Sequence, residues 1–269
     1  MEAIRQVETW PAPNAAVAVV RSDADSVAVG DRSREFRWAS VTKLATTMAA
    51  LVAAEEGSID LDEQAGPEGS TVRHLLAHTS GLPFEAGGPV NPPGRRRIYS
   101  NVGFDVLAEH VEVRVEMPFE RYLREAVLRP LGMRAELRGS PAADLHGSLD
   151  DLVLLARELQ APRLVAPETL SEATSVQFAG LAGVVPDFGR FDPNDWGLGF
   201  ELRAHKAPHW TGALNSPQTF GHFGGSGAFV WVDPVAGVTL VCLTDLEFGQ
   251  WAKDAWPRLS DAVIREAGG

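Results

Sequence analysis

The 269-residue sequence has little of what a disulfide-stabilised or membrane-spanning protein needs. It contains one cysteine, Cys242, so no disulfide can form within the chain. No apolar run approaches the roughly 18 residues that would span a bilayer. The amino terminus shows neither the basic region nor the apolar region of a signal peptide. We therefore expect a cytoplasmic protein without a membrane partner, in which Cys242 is a buried structural thiol.

Positive charge is also scarce. The sequence has 24 Lys and Arg against 36 Asp and Glu, a net charge of -12. An acidic surface repels phosphate backbones, so we expect no nucleic-acid partner. The only cationic run, Arg95-Arg96-Arg97, is interpreted as a solvated loop, with anion steering near a site as the alternative.

What the sequence does have is a clear pattern of elements. Short β-rich runs cover residues 15–20, 26–30, 35–38, 227–233 and 237–244. A helix from Val41 to about Gly57 is apolar nearly all round, which indicates a central, buried position. Further helices start near Asn101, Phe119 and Ser148, where Asp151 completes a capping box, and a terminal helix covers residues 250–267.

The order of these elements predicts an α/β fold of the α+β type. The sheet is expected from about residues 1–60 and 216–269, and a helical and loop insertion from about 61–215. Together they form one domain, residues 1–269. Residues 178–219 are rich in Gly, Pro and aromatic residues, and we expect long functional loops there with one or two short strands.

Three short segments could carry chemistry, and the first is "ASVTK". Residues three apart lie on one face of a helix, so the Lys43 amine can reach the Ser40 hydroxyl. Burial lowers the pKa of a lysine, so a neutral Lys43 could act as a base. By itself this pattern is common and weakly specific.

The second segment is "IYSNV". The Tyr99 hydroxyl can shuttle a proton once neighbouring cations lower its pKa, and the Asn101 amide can bind a substrate amide. The alternative is a packed Tyr beside an Asn that caps a helix.

The third segment, "GHFGGSGAFVW", places His222 and a glycine-rich backbone before a strand. Glycines let a substrate approach the strand edge, where an N–H group could complete an oxyanion hole with that of Ser40. An ordinary turn before a core strand is the alternative. The stretch "GGSGA" also nearly matches a nucleophile elbow at Ser226, but it precedes a strand rather than a helix.

The three segments in this order resemble the serine β-lactamase and penicillin-binding-protein superfamily, in its class C-like branch. The matches are Ser40-Val41-Thr42-Lys43, Tyr99-Ser100-Asn101 and His222-Phe223-Gly224. The flanking segments "LLAHTSGLP" and "IDLDE" match as well, and the resemblance covers residues 15–244.

The resemblance implies an antiparallel sheet flanked by helices, with the site between the sheet and a mostly helical region. It implies a serine hydrolase in which Ser40 forms an acyl-enzyme while Lys43 and Tyr99 move the proton. Asn101, His222, Phe223, Gly224 and Gly225 would bind substrate, and the N–H groups of Ser40 and Gly225 would form the oxyanion hole. No metal or organic cofactor is implied.

The third motif departs from the penicillin-recognising pattern at two positions. His222 replaces a lysine, although a histidine can still carry charge or donate a hydrogen bond. Phe223 replaces the Thr or Ser whose hydroxyl helps to hold a substrate carboxylate. We therefore expect an esterase or amidase acting on a small ester, amide or peptide-like molecule. A β-lactamase or D-stereospecific peptidase or transpeptidase is the alternative.

Other interpretations stay open on the sequence alone. The fold could serve as a non-catalytic binding module, although such a module would usually have lost Ser40, Lys43 or Tyr99. His74 and His78 have the spacing of metal ligands but lack the glutamate of the zinc-protease pattern. Trp196 and Trp210 could line a pocket or cover the core.

Overall fold

The computed structural model describes residues 1–21 and 24–268. The strands are β1 (Ala15–Arg21), β2 (Ala24–Val29), β3 (Phe36–Arg37), β4 (Glu136–Leu137), β5 (Leu145–Gly147), β6 (Gly183–Val185), β7 (Gly189–Phe191), β8 (Glu201–Leu202), β9 (Phe220–Gly224), β10 (Ala228–Asp233) and β11 (Val238–Thr244). The α-helices are α1 (Thr42–Glu55), α2 (Val72–Leu76), α3 (Asn101–Val115), α4 (Phe119–Leu123), α5 (Leu149–Gln160), α6 (Pro167–Ala173) and α7 (Gln250–Ala267). Short 3₁₀ helices cover Ala3–Thr9 and Ala39–Val41, and a π-helical turn covers Arg124–Leu128.

Six strands form the main sheet, in the order β2-β1-β11-β10-β9-β8, with antiparallel neighbours. The amino-terminal β1 pairs with the carboxy-terminal β11, with Val17 opposite Cys242. The two ends of the chain thus build one sheet, which confirms the predicted fold class.

Two strands do not follow the predicted division of the chain into a sheet part and a helical insertion. Strand β8 belongs to the main sheet although it lies inside residues 61–215, the segment assigned to helices and loops. Strand β3, within residues 1–60, pairs instead with β5 in a separate three-stranded sheet. Both strands have two residues, which is too short for a periodic pattern to reveal.

The sheet separates two apolar cores. On β10, Val230 faces the core that contains α1, whereas Phe229 and Trp231 face the core that contains Trp256 of α7. Alternate side chains of a strand point to opposite faces, so each fully buried strand contributes to both cores. Burial of each large apolar side chain favours folding by about 1.5–3 kcal/mol.

Helix α1 lies at the centre, as predicted. Every side chain from residue 42 to 53 is buried, and Gly57 follows the helix with a φ of +73°. The capping box at Ser148 and Asp151 is present at the start of α5. No helix in the two described segments is long and apolar enough to cross a membrane.

The interpretation of the arginine run is wrong for one of its three residues. Arg95 and Arg96 are exposed, but Arg97 is 2% exposed. Its guanidinium donates to the carbonyl oxygens of Ala77 and Gln177. It therefore ties two loops together inside the protein, and burial lowers the pKa of Arg97 to about 10.

Candidate active site

Ser40 lies in the 3₁₀ turn that leads into α1. The preceding residue, Ala39, has a φ of +45°, an unfavourable conformation for a residue with a Cβ atom. Strand β9 presses against this turn, since a Cβ atom on Gly224 would lie 2.5 Å from the Trp38 oxygen and 3.0 Å from the Ser40 nitrogen. Gly224, predicted to bind substrate, thus fits a different need, because only glycine allows this close approach.

Lys43 lies one helical turn after Ser40, and its side chain is fully buried. The Lys43 Nζ atom is 3.4 Å from Ser40 Oγ, 2.6 Å from Asn101 Oδ1 and 2.9 Å from the Ala142 carbonyl oxygen. The sequence predicted the first contact, and Asn101 was expected to bind substrate rather than the lysine. The Asn101 amide nitrogen remains the group that can donate to a substrate.

These three contacts fit both protonation states of Lys43, since an ammonium could donate to all three oxygens and a neutral amine to two of them. The Asn101 and Ala142 oxygens can only accept, so they use the two N–H groups of a neutral amine. The remaining lone pair is then available to the Ser40 hydroxyl. Burial lowers the pKa of Lys43 to about 7, against the opposing effect of the Asp105 charge. Near neutral pH a large fraction of Lys43 is therefore a base.

Tyr99 lies just before the Ser100 cap of α3, and Lys43 Nζ is 4.8 Å from the centroid of its ring. Its hydroxyl is 3.5 Å from His222 Nε2. Burial raises the pKa of Tyr99, and a hydrogen bond with Ser40 opposes that rise only in part. The expectation of a lowered Tyr99 pKa is wrong, because desolvation of the phenolate and the charge of Glu201 both raise it.

His222 is a neutral imidazole whose acceptor nitrogen faces Tyr99. Its Nδ1 atom lies 2.7 Å from the Phe223 carbonyl oxygen, which can only accept, so Nδ1 carries the proton. Burial and the nearby Lys43 lower the pKa of His222 to about 3. The charge that we considered for this position is therefore absent at neutral pH.

Phe223 points to the opposite face of β9, because adjacent strand residues alternate. Its ring centroid lies 5.1 Å from that of Phe248, 5.6 Å from that of Trp210 and 6.1 Å from that of Trp256. Phe223 is 8% exposed and is one of the residues that line the cavity. It places hydrocarbon where the family pattern has a hydroxyl.

The two tryptophans left open by the sequence have different positions. Trp196 lines the cavity at Ser40, and its ring lies edge-on to that of His222 at 5.6 Å. Trp210 is buried in the core around α7 and donates its indole N–H to Glu201 at 2.5 Å. One tryptophan is therefore part of the site and the other is part of the core.

The predicted oxyanion hole uses backbone groups. Gly225 is exposed, borders the cavity, and has no atom within 4 Å of the place where a Cβ would be. Its carbonyl oxygen accepts a hydrogen bond from the Phe248 N–H at 2.8 Å, which holds the start of the β9–β10 turn. Ser40 borders the same cavity, so the two residues predicted to form the oxyanion hole lie at one site.

The cavity has a volume of about 630 Å³ and brings the predicted residues together. Ser40, Tyr99, Asn101, His222, Phe223 and Gly225 line it, whereas Lys43 and Gly224 lie behind its wall. The 178–219 loops add Val185, Pro186, Asp187, Trp196 and Glu201. The described residues contain no group of three or more His, Cys, Asp or Glu that could hold a metal ion.

Sequence reasoning missed two contributors to the site. Phe84 lies at the mouth of the cavity with 46% of its surface exposed, and its ring stacks on Tyr99 at 5.7 Å. The Ala142 carbonyl, which binds Lys43, is a backbone group in a loop, and no side chain there indicates its role. For Phe84, the position just after the "HTSGLP" segment could have indicated a role.

Known proteins resemble this chain over nearly all of its length. The β-lactamase family model matches residues 11–263. A β-lactamase from Mycobacterium bovis is 50% identical, with a TM-score of 0.97 over 98% of this chain and 99% of that one. The unliganded simvastatin synthase of Aspergillus terreus shares the fold, with a TM-score of 0.77 at 17% identity over 98% of this chain and 97% of that one.

Curated relatives are longer than this chain. A candidate D-alanyl-D-alanine carboxypeptidase from Salmonella enteritidis PT4 is 26% identical over 197 residues. The alignment covers 56% of this chain but only 45% of that relative. The chain thus spans about half the length of the curated relatives that it matches. With the family model matching almost every described residue, the chain belongs to the β-lactamase family, a family of serine hydrolases.

Proposed function

We propose that this protein is a serine hydrolase that transfers an acyl group to Ser40, with Lys43 as the base. The supporting observation is the position of Lys43. It is a fully buried amine with a pKa of about 7, and its Nζ atom lies 3.4 Å from Ser40 Oγ and within hydrogen-bond distance of two further oxygens. A binding module would have no need of a buried lysine whose pKa is lowered to about neutrality beside a serine hydroxyl.

In the first step, Ser40 Oγ bonds to the substrate carbonyl carbon while its proton moves to Lys43 Nζ. The N–H groups of Ser40 and Gly225 stabilise the oxyanion. The intermediate then breaks its bond to the leaving alcohol or amine, which takes a proton back from Lys43 through Tyr99. Water cleaves the acyl-enzyme by the same proton transfers, which restores the Ser40 hydroxyl.

The neutral Tyr99 fits a relay better than a base. Its hydroxyl proton can be directed to Ser40 Oγ or to His222 Nε2 at 3.5 Å, while the proton of Ser40 is left for Lys43. A relay passes one proton and receives another, so it works without a phenolate. Lys43 supplies the basicity that Tyr99 lacks.

We infer that the substrate is an ester or an amide without a carboxylate near the scissile bond. His222 is uncharged and Phe223 has no hydroxyl, so this strand lacks the groups that hold such a carboxylate. Both arginines that line the cavity are already paired, Arg34 with Asp245 and Arg37 with Asp144. A carboxylate would lose its hydration without gaining a partner.

The alternative is a β-lactamase or a D-stereospecific peptidase, and the names of two relatives favour it. Its substrates carry the carboxylate that this site is poorly built to hold. Small-molecule substrates and a cytoplasmic location remain predictions from the sequence.

A matched pair of esters tests the substrate proposal. p-Nitrophenyl butyrate and mono-p-nitrophenyl succinate share a leaving group and differ by a methyl group against a carboxylate. We expect kcat/KM to favour the butyrate by about 10–100-fold, the worth of one charged hydrogen bond. A preference for the succinate, or rapid turnover of the β-lactam nitrocefin, would contradict the esterase assignment.

The pH dependence tests the base. Protonation removes the Lys43 lone pair, so kcat/KM for the butyrate should rise with pH through a single ionisation near the Lys43 pKa of about 7. The Asp105 charge raises that pKa, so Asp105→Asn should move the midpoint to lower pH. A midpoint that is the same in both proteins would exclude Lys43 as the titrating group.

A further inference from the structure

We propose that His78 is a positioning residue that holds Tyr99 in its catalytic place, an inference that rests on the function proposed above. His78 itself does not line the cavity. It acts through the backbone on both sides of Tyr99 and through the Tyr99 ring.

Two hydrogen bonds fix the chain around Tyr99. The Ile98 N–H donates to the His78 carbonyl oxygen at 2.8 Å. The Ser100 N–H donates to the His78 Nδ1 atom at 3.2 Å. One residue thus binds the N–H groups of both chain neighbours of Tyr99, which restricts the backbone on each side of the tyrosine.

The His78 ring supports the Tyr99 ring from behind. Their centroids are 4.6 Å apart, at an interplanar angle of 48°. The Trp196 ring meets the His78 ring edge-on at 4.8 Å, and that of Phe104 lies 5.2 Å from it. Tyr99 is therefore held between this aromatic group and the exposed Phe84 ring at the mouth of the cavity.

Two features of His78 each cost folding free energy. Its φ of +56° lies in the left-handed region, which costs free energy for a residue with a Cβ atom, although histidine occurs there more often than most residues. Since Nδ1 accepts from Ser100, the ring proton is on Nε2, and this buried N–H has no partner among the described residues. A residue whose only role was to fill this space would avoid both of these unfavourable features. Both follow from using the imidazole as an acceptor at this point of the chain.

Two substitutions separate the roles of the hydrogen bond and the ring. In His78→Asn, the amide oxygen takes nearly the place of Nδ1, and Asn tolerates a positive φ. In His78→Leu, the volume is kept but the acceptor is lost, and the backbone conformation becomes unfavourable. Both variants lack the aromatic ring. A difference between them in activity or in the Tyr99 signal therefore reports the effect of the hydrogen bond to Ser100 and of the backbone conformation at residue 78.

We expect His78→Leu to lower kcat for p-nitrophenyl butyrate by about 10²-fold, the effect of a misplaced catalytic group, with little change in KM. His78→Asn should recover most of that loss. His74→Leu, which alters the other histidine of this segment, should leave kcat unchanged. In a Tyr99→Phe background, His78→Leu should cost much less, because the group that it positions is gone.

A second measurement does not depend on activity. The chain has two tyrosines, so ¹³C-tyrosine labelling yields two signals, and Tyr99→Phe assigns them. We expect His78→Leu to broaden or split the Tyr99 signal while Tyr122 stays unchanged, and His78→Asn to keep a single Tyr99 signal.

The results separate this inference from the proposed function. Equal behaviour of the Asn and Leu variants in kcat and in the Tyr99 signal would overturn the positioning role. Additive losses with Tyr99→Phe would also overturn it. An inactive wild type, or an active Tyr99→Phe, would instead contradict the proposed function, and the Tyr99 signal would still decide the role of His78.

Discussion

Ser40→Ala is expected to abolish ester hydrolysis, with kcat/KM lower by on the order of 10⁵-fold. The hydroxyl oxygen is the only side-chain atom of residue 40 that can bond to the substrate carbonyl, and it is the hydroxyl that Lys43 contacts. A fluorophosphonate probe should label the wild type and leave the variant unlabelled. The remaining rate would come from the oxyanion hole and from substrate binding.

Ser226→Ala is the matched control for this loss. Ser226 borders the same cavity and belongs to the stretch that nearly matches a nucleophile elbow. We expect it to retain labelling and turnover, because Lys43 lies at Ser40. Labelling that persists in Ser40→Ala and disappears in Ser226→Ala would show that Ser226, and not Ser40, is the nucleophile. A wild type that is never labelled would favour a binding module.

Lys43→Met should have the second largest effect, lowering kcat/KM by about 10³- to 10⁴-fold, the upper part of the range usual for a general base. Methionine keeps the length and fills the buried space but cannot accept the Ser40 proton. The pH profile of the residual activity should lose its ionisation near the pKa of about 7 that Lys43 has in the wild type.

Loss of structure has to be separated from loss of the base in this variant. The thioether leaves the Asn101 and Ala142 oxygens without the donor that Lys43 supplies, which destabilises the fold by about 1–3 kcal/mol for each buried group. Burial of Lys43 also costs folding free energy, as its lowered pKa shows, and methionine removes that cost. Thermal melting should therefore still show a single cooperative transition. If Lys43→Met keeps wild-type turnover with the same pH midpoint, Lys43 is not the base.

The proposed nucleophile and base could be predicted because they are neighbours in the sequence, so helix geometry alone brings them together. Ser40 and Lys43 are one helical turn apart, and the apolar pattern around them already indicated burial. Burial and spacing together predict both the 3.4 Å contact and the lowered pKa of Lys43. The segments with Tyr99 and His222 were identified by resemblance, and the fold brings them to Ser40.

The protonation states of Tyr99 and His222 could not be read from the sequence. Each depends on how much water reaches the group and on which atoms meet it in space. Burial keeps both neutral, and the hydrogen bond from His222 Nδ1 to the Phe223 carbonyl directs the unprotonated Nε2 to Tyr99. The close contact of Gly224 with the Ser40 turn was hidden for a similar reason, since it exists only in the folded chain.

By itself, the sequence determined the fold class and the central buried helix, and it named the residues that we propose perform acyl transfer. These depend on periodicity and on residue types, which are local properties. Only the tertiary structure decided which groups are charged, which face Phe223 occupies, and that His78 holds the chain on both sides of Tyr99. Those properties arise from desolvation and from contacts between distant segments, which exist only after the chain has packed.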